Sequence, residues 1–98
     1  MRHRARIDAN HSEIRAALRK LGCEVLDLAS VGGGCPDLLV FVRTGRRAGS
    51  LHLIEVKDGS KSASRQGLTP AQVQFHATWP VHVVNSLDQV VELCGATV

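Results

Sequence analysis

The chain has 98 residues, 44% of them hydrophobic, with 12 Lys or Arg against 9 Asp or Glu and a formal net charge of +3. That length supports one domain with one core, and a composition rich in Val, Leu and Ile excludes a disordered chain. No apolar run approaches the roughly 18 residues of a membrane span, and the basic start Met1-Arg2-His3-Arg4 leads into no signal-peptide core, so a single cytoplasmic domain over 1–98 is expected.

Asn10 precedes Ile14, Ala17, Leu18 and Leu21, and Gly22 follows, so the spacing predicts an amphipathic helix over 10–21 with Asn10 as its N-cap. Residues 24–28 alternate polar and apolar as a short strand. Ser30 to Pro36 then reads as a glycine-bearing turn; Gly32-Gly33-Gly34 lacks the Lys-Ser/Thr of a nucleotide-binding loop, so turn chemistry is its role. Leu38 to Val42 is a continuous apolar run and Leu51 to Lys57 a second strand; with the polar loop 43–50 between them they form a hairpin.

Residues 58–67 are rich in Ser, Gly and Lys, the composition of a surface loop. Thr69-Pro70-Ala71-Gln72 opens a helix with an N-cap, a proline at the first position and a Gln three residues after the cap, and Trp79-Pro80 closes it. Phe75 and Trp79 are expected in the core. Val81 to Val84 is a short strand, and Ser86 caps a last helix with Leu87, Val90, Val91 and Cys94 on one face before Gly95. The order is α-β-β-β-α-β-α, an α/β domain.

Cys23, Cys35 and Cys94 form no C-x-x-C pair and are too many for one bridge, so reduced structural thiols are expected. A zinc or redox site built from them and from His11, His52, His76 and His82 is an alternative, but no pair has the compact spacing such sites use.

Chemistry is expected at one end of the hairpin. Side chains alternate along a strand, so Asp37, Leu39 and Phe41 share a face, as do Leu51, Leu53, Glu55 and Lys57. If Phe41 pairs with Leu51 and Leu39 with Leu53, Asp37 stands opposite Glu55, with Lys57 just beyond. Opposed carboxylates repel unless positive charge lies between them. A hard divalent cation such as Mg²⁺, which commonly uses one or two carboxylates and a substrate phosphate, would supply it. The competing reading makes Glu55 and Lys57 an ordinary strand-end pair and Asp37 a turn residue.

Pro36-Asp37 followed by Glu55-Val56-Lys57 resembles the signature of the PD-(D/E)xK nuclease superfamily, and the element order resembles its restriction-endonuclease-like αβββαβ core, a mixed central sheet flanked by helices. Within it, the glycine-rich turn, the Ile54-Glu55-Val56-Lys57 strand and the Leu68-Thr69-Pro70-Ala71-Gln72 helix start are most similar to the virus-type replication-repair nuclease (VRR-NUC) domain of small phage and bacterial proteins. The resemblance implies that Asp37 and Glu55 bind Mg²⁺ or Mn²⁺, that the Val56 carbonyl completes the site and that Lys57 assists catalysis. It also implies an accessory role for Gln72 and makes Glu13 the counterpart of a first-helix metal ligand. Both have a plainer reading, since Asn10-His11-Ser12-Glu13 and Thr69-Pro70-Ala71-Gln72 each fit a capping box.

Lys61 and Arg65 in the loop, with Arg43, Arg46 and Arg47 beside the hairpin, are the candidate phosphate contacts. Nothing resembles a recognition helix for base edges, so cutting is expected to select DNA structure rather than sequence; the resemblance points to branched DNA such as a four-way junction, with flap, nicked and plain duplex DNA as alternatives. The small surface favours a homodimer with two active sites for opposing strands. The alternative is a non-catalytic DNA-binding module with a decayed nuclease fold.

Overall fold

The computed structural model describes residues 9–57 and 67–95. The elements are α1 (Ala9–Lys20), β1 (Glu24–Asp27), β2 (Leu38–Phe41), β3 (Leu51–Val56), α2 (Pro70–Thr78), β4 (Val81–Val84) and α3 (Leu87–Cys94). They follow the expected order. The sheet order is β1-β2-β3-β4, antiparallel from β1 to β3 and parallel between β3 and β4. A parallel neighbour demands a crossover, and α2 lies within it.

The apolar pairs set the register: Phe41 is opposite Leu51 and Leu39 opposite Leu53. One face of the sheet, carrying Val25, Leu38, Val40, Ile54, Val56 and Val84, is buried with Ile14 and Leu18 of α1 and Val90 and Cys94 of α3. The i, i+4 spacing of Ile14 and Leu18 puts both on the side of α1 that meets the sheet, and both are fully buried. The edge strand β1 is partly blunted by Arg19, whose Nη2 donates to the Val25 carbonyl at 3.0 Å.

The other face is only partly covered. Leu26, Phe41 and Leu51 on it are 61%, 39% and 64% exposed, and Leu26, Leu39, Phe41 and Leu51 line an open groove. Helix α2 buries none of its residues completely. The expectation that Phe75 and Trp79 belong to the core is therefore corrected: their rings stack on each other at 5.5 Å, with Trp79 52% exposed. Among the described residues, no second layer encloses this two-turn helix.

A second correction concerns Asn10. It lies inside α1 rather than at its N-cap, and its Nδ2 donates to the carbonyls of Lys57 at 2.8 Å and Asn85 at 3.2 Å. An asparagine amide can donate as well as accept, and here it joins α1 to the ends of β3 and β4. With Asn10 in this role, a capping box with Glu13 is lost. Among the described residues, no helix is long and apolar enough to cross a membrane.

Candidate active site

The extended β2–β3 register carries Asp37 to a position opposite Glu55. Asp37 immediately follows the fully buried Pro36, and its backbone is tied on one side by the Leu28 amide, which donates to the Asp37 carbonyl at 2.7 Å. On the other side the Val56 amide donates to Asp37 Oδ2 at 2.8 Å. The end of β3 therefore fixes the carboxylate, and the residue after β1 fixes the backbone that carries it.

Glu55 is 3% exposed. Its Oε2 accepts from Gln72 Nε2 at 3.0 Å and lies 3.9 Å from Lys57 Nζ, while its Oε1 is buried with no hydrogen-bond partner among the described residues. Burial, then the charge of the nearby Asp37 carboxylate, push the Glu55 carboxyl up to about 8; the Lys57 ammonium opposes this. Such a group is costly to ionise unless positive charge arrives beside it.

Lys57 Nζ donates to Gln72 Oε1 at 3.1 Å, and the Thr69 amide donates to the same oxygen at 2.9 Å. Thr69 Oγ1 in turn accepts from the Gln72 amide at 3.2 Å, completing a capping box. Gln72 therefore serves two places at once: its oxygen closes the helix start while its nitrogen reaches Glu55.

Asp37, Glu55, Lys57 and Gln72 are brought together; several other candidates are not. Glu13 is exposed on α1 and takes part in none of the hydrogen bonds or ion pairs of this cluster. Arg43, Arg46 and Arg47 lie in the hairpin loop, six or more residues along the strand from Asp37, roughly 20 Å at the usual rise. Arg43 pairs with Glu24 at 3.1 Å and the Arg47 stem lies beside Gly95, and all three arginines are exposed. Lys61 and Arg65 lie outside the described residues.

Sequence reasoning missed Asn10, which holds the Lys57 carbonyl. It also missed a cluster below the sheet end in which Asp27 accepts from Arg15 and pairs with His11 at 3.2 Å. Burial alone would raise the Asp27 carboxyl, but the Ala29 amide, Arg15 and His11 together hold it below its ordinary range. These contacts span α1 and β1 and leave no local pattern.

The residues fit a divalent cation, since two opposed carboxylates, one with a buried oxygen lacking any donor, form an oxygen-rich seat. A thiol site fits less well. Burial raises the pKa of all three cysteines, Cys94 to about 11, and no three His, Cys, Asp or Glu residues cluster as metal ligands among the described residues.

No protein-family model and no curated protein matches the chain. A solved structure described as a VRR_NUC domain does match, with a TM-score of 0.56 and 30% sequence identity over 84% of this chain and 86% of that one. With the αβββαβ order, the mixed sheet and this match in agreement, the chain belongs to the VRR-NUC domain family, a family of nuclease-type domains.

Proposed function

We propose that the protein is a metal-dependent DNA nuclease that hydrolyses phosphodiester bonds as a structure-selective endonuclease, with branched or four-way-junction DNA as its substrate. The observation that carries this reading is the buried Glu55, opposite Asp37, with an orphan carboxylate oxygen and a lysine 3.9 Å away. Asp37 and Glu55 would hold Mg²⁺ or Mn²⁺, with the Val56 carbonyl between Glu55 and Lys57 as a third oxygen. A bound divalent cation supplies positive charge to the scissile phosphate and acidity to a water molecule.

The chain's own groups do the rest. The Val56 amide holds the Asp37 carboxylate and the Leu28 amide its backbone, so the carboxylate is presented with little side-chain reorganisation. Lys57 keeps its ammonium beside the cluster through Gln72 Oε1, where it can neutralise charge that develops on the phosphate. Gln72 orients Glu55 through one oxygen and leaves the other available.

Arg46, with Lys61 and Arg65, would contact DNA phosphates. A homodimer is part of the proposal, supported by the exposed side chains of Leu26, Phe41 and Leu51 on one sheet face.

Labelled duplex, flap and four-way-junction DNA incubated with the protein in Mg²⁺, Mn²⁺ or EDTA tests the reading. Metal-dependent cutting that favours the branched substrates supports it. Binding without cutting under every metal condition would make the protein a DNA-binding module instead.

A further inference from the structure

The glycine turn before Asp37 contains two residues with nearly the same backbone angle and different surroundings. Gly32 has φ +82 and Gly34 φ +84, both in the left-handed region that disfavours a side chain. A Cβ on Gly32 would meet nothing within 4 Å. On Gly34 it would meet the Ala71 carbonyl oxygen at 2.3 Å, its carbon at 2.6 Å and the Gln72 nitrogen at 3.0 Å. These are backbone atoms in the first turn of α2, so no rotamer change relieves the overlap. The turn and the helix approach as closely as they do because one of them lacks a side chain.

The helix turn that Gly34 touches is also the one that presents Gln72. Gln72 is the group through which Glu55 and Lys57 are joined, at 3.0 and 3.1 Å. The same turn of chain runs directly into Pro36-Asp37, so one short segment delivers the carboxylate and braces the helix. We propose that Gly34 is a positioning residue, whose bare backbone seats the start of α2 and thereby sets the Gln72 amide between Glu55 and Lys57. The inference rests on the reading of that cluster as catalytic.

Gly34→Ala and Gly32→Ala form a matched pair: both place an alanine at the same φ, and only the first drives a methyl into α2. In the metal-free protein, the Gln72 side-chain amide protons are expected to keep their wild-type shifts and slow exchange in Gly32→Ala and to move to free-amide positions in Gly34→Ala. Mn²⁺ titration is expected to show a roughly 10–100-fold weaker affinity for Gly34→Ala, the usual consequence of disturbing a group that orients a metal ligand, and no change for Gly32→Ala. Because Gly34 acts through Gln72, the double variant Gly34→Ala/Gln72→Ala is expected to bind Mn²⁺ no more weakly than Gln72→Ala alone.

Equal behaviour of the two glycine variants, or losses that add in the double variant, overturns the proposal. A wild-type protein that binds no Mn²⁺ overturns the metal reading, while the Gln72 amide signal still decides the role of Gly34. Should Gly34→Ala not fold, the wild-type protein decides. A strong nuclear Overhauser cross-peak between the Gly34 Hα and the Gln72 amide proton is expected, and its absence overturns the contact.

Discussion

Gln72 Nε2 donates to Glu55 Oε2 across 3.0 Å, joining the first turn of α2 to the end of β3. The same side chain accepts from Lys57 Nζ and from the Thr69 amide, so one residue links the helix cap to both charged partners. Gln72→Ala should therefore have two separable effects. Loss of the capping contact should cost about 0.5–2 kcal/mol in a denaturant melt. Loss of the link to Glu55 and Lys57 should lower kcat roughly 10–100-fold, with KM for DNA little changed. A variant that loses only stability would assign Gln72 to the cap alone.

Glu55 makes stability depend on pH in a defined direction. Its carboxyl titrates near 4.5 in the unfolded chain and at about 8 in the folded one. Between these values the folded state keeps a proton that the unfolded state has lost. In metal-free buffer this group's contribution falls by about 1.4 kcal/mol per unit as pH rises through that window, and is level above it. Glu55→Gln removes the term. The variant should match the wild type below pH 4.5 and be clearly the more stable of the two at pH 8.5, as read from melts in EDTA. Equal stability at both pH values would contradict the burial of a costly carboxylate.

Much of the site is legible in the sequence because strand parity leaves few choices. Once Phe41 is matched with Leu51 and Leu39 with Leu53, the placement of Asp37 opposite Glu55 follows without further information. The remote position of Arg43, Arg46 and Arg47 follows from the same hairpin, whose loop and open end lie at opposite ends of its strands. Asn10 was not legible, because its acceptors are 47 and 75 residues away and a local pattern offers only the cap. Gly34 was hidden for the same reason: its neighbour is α2, beyond two strands and a loop. Phe75 and Trp79 misled because apolar character implies burial only where a second layer exists to bury it.

The hairpin-loop arginines should act on DNA affinity without touching the chemistry. Each phosphate contact removed from duplex binding lowers the slope of log K against log salt by about 0.9. Arg46→Ala should reduce that slope and weaken binding at low salt, while the cleavage rate at saturating DNA stays at the wild-type value. Arg43→Ala should do less, since that guanidinium is already engaged by Glu24. An unchanged slope in Arg46→Ala would remove the loop from the DNA path.

Pairing through the open sheet face should depend on its exposed apolar side chains. Phe41→Ser and Leu51→Ser place polar groups where 39% and 64% of each residue already meets solvent, so the fold should tolerate both. Sedimentation equilibrium should show a dimer for the wild type and a monomer for the double variant. A monomeric wild type would contradict the homodimer.

The central claim concerns Asp37, Glu55 and Lys57 acting as one site, and cleavage of four-way-junction DNA in Mn²⁺ by the wild type, Asp37→Ala and Lys57→Ala tests it most directly. With folding of each variant verified by its melt, the expected result is cutting by the wild type that EDTA abolishes and that neither variant retains. Metal-dependent cutting at the wild-type rate by either folded variant would contradict it.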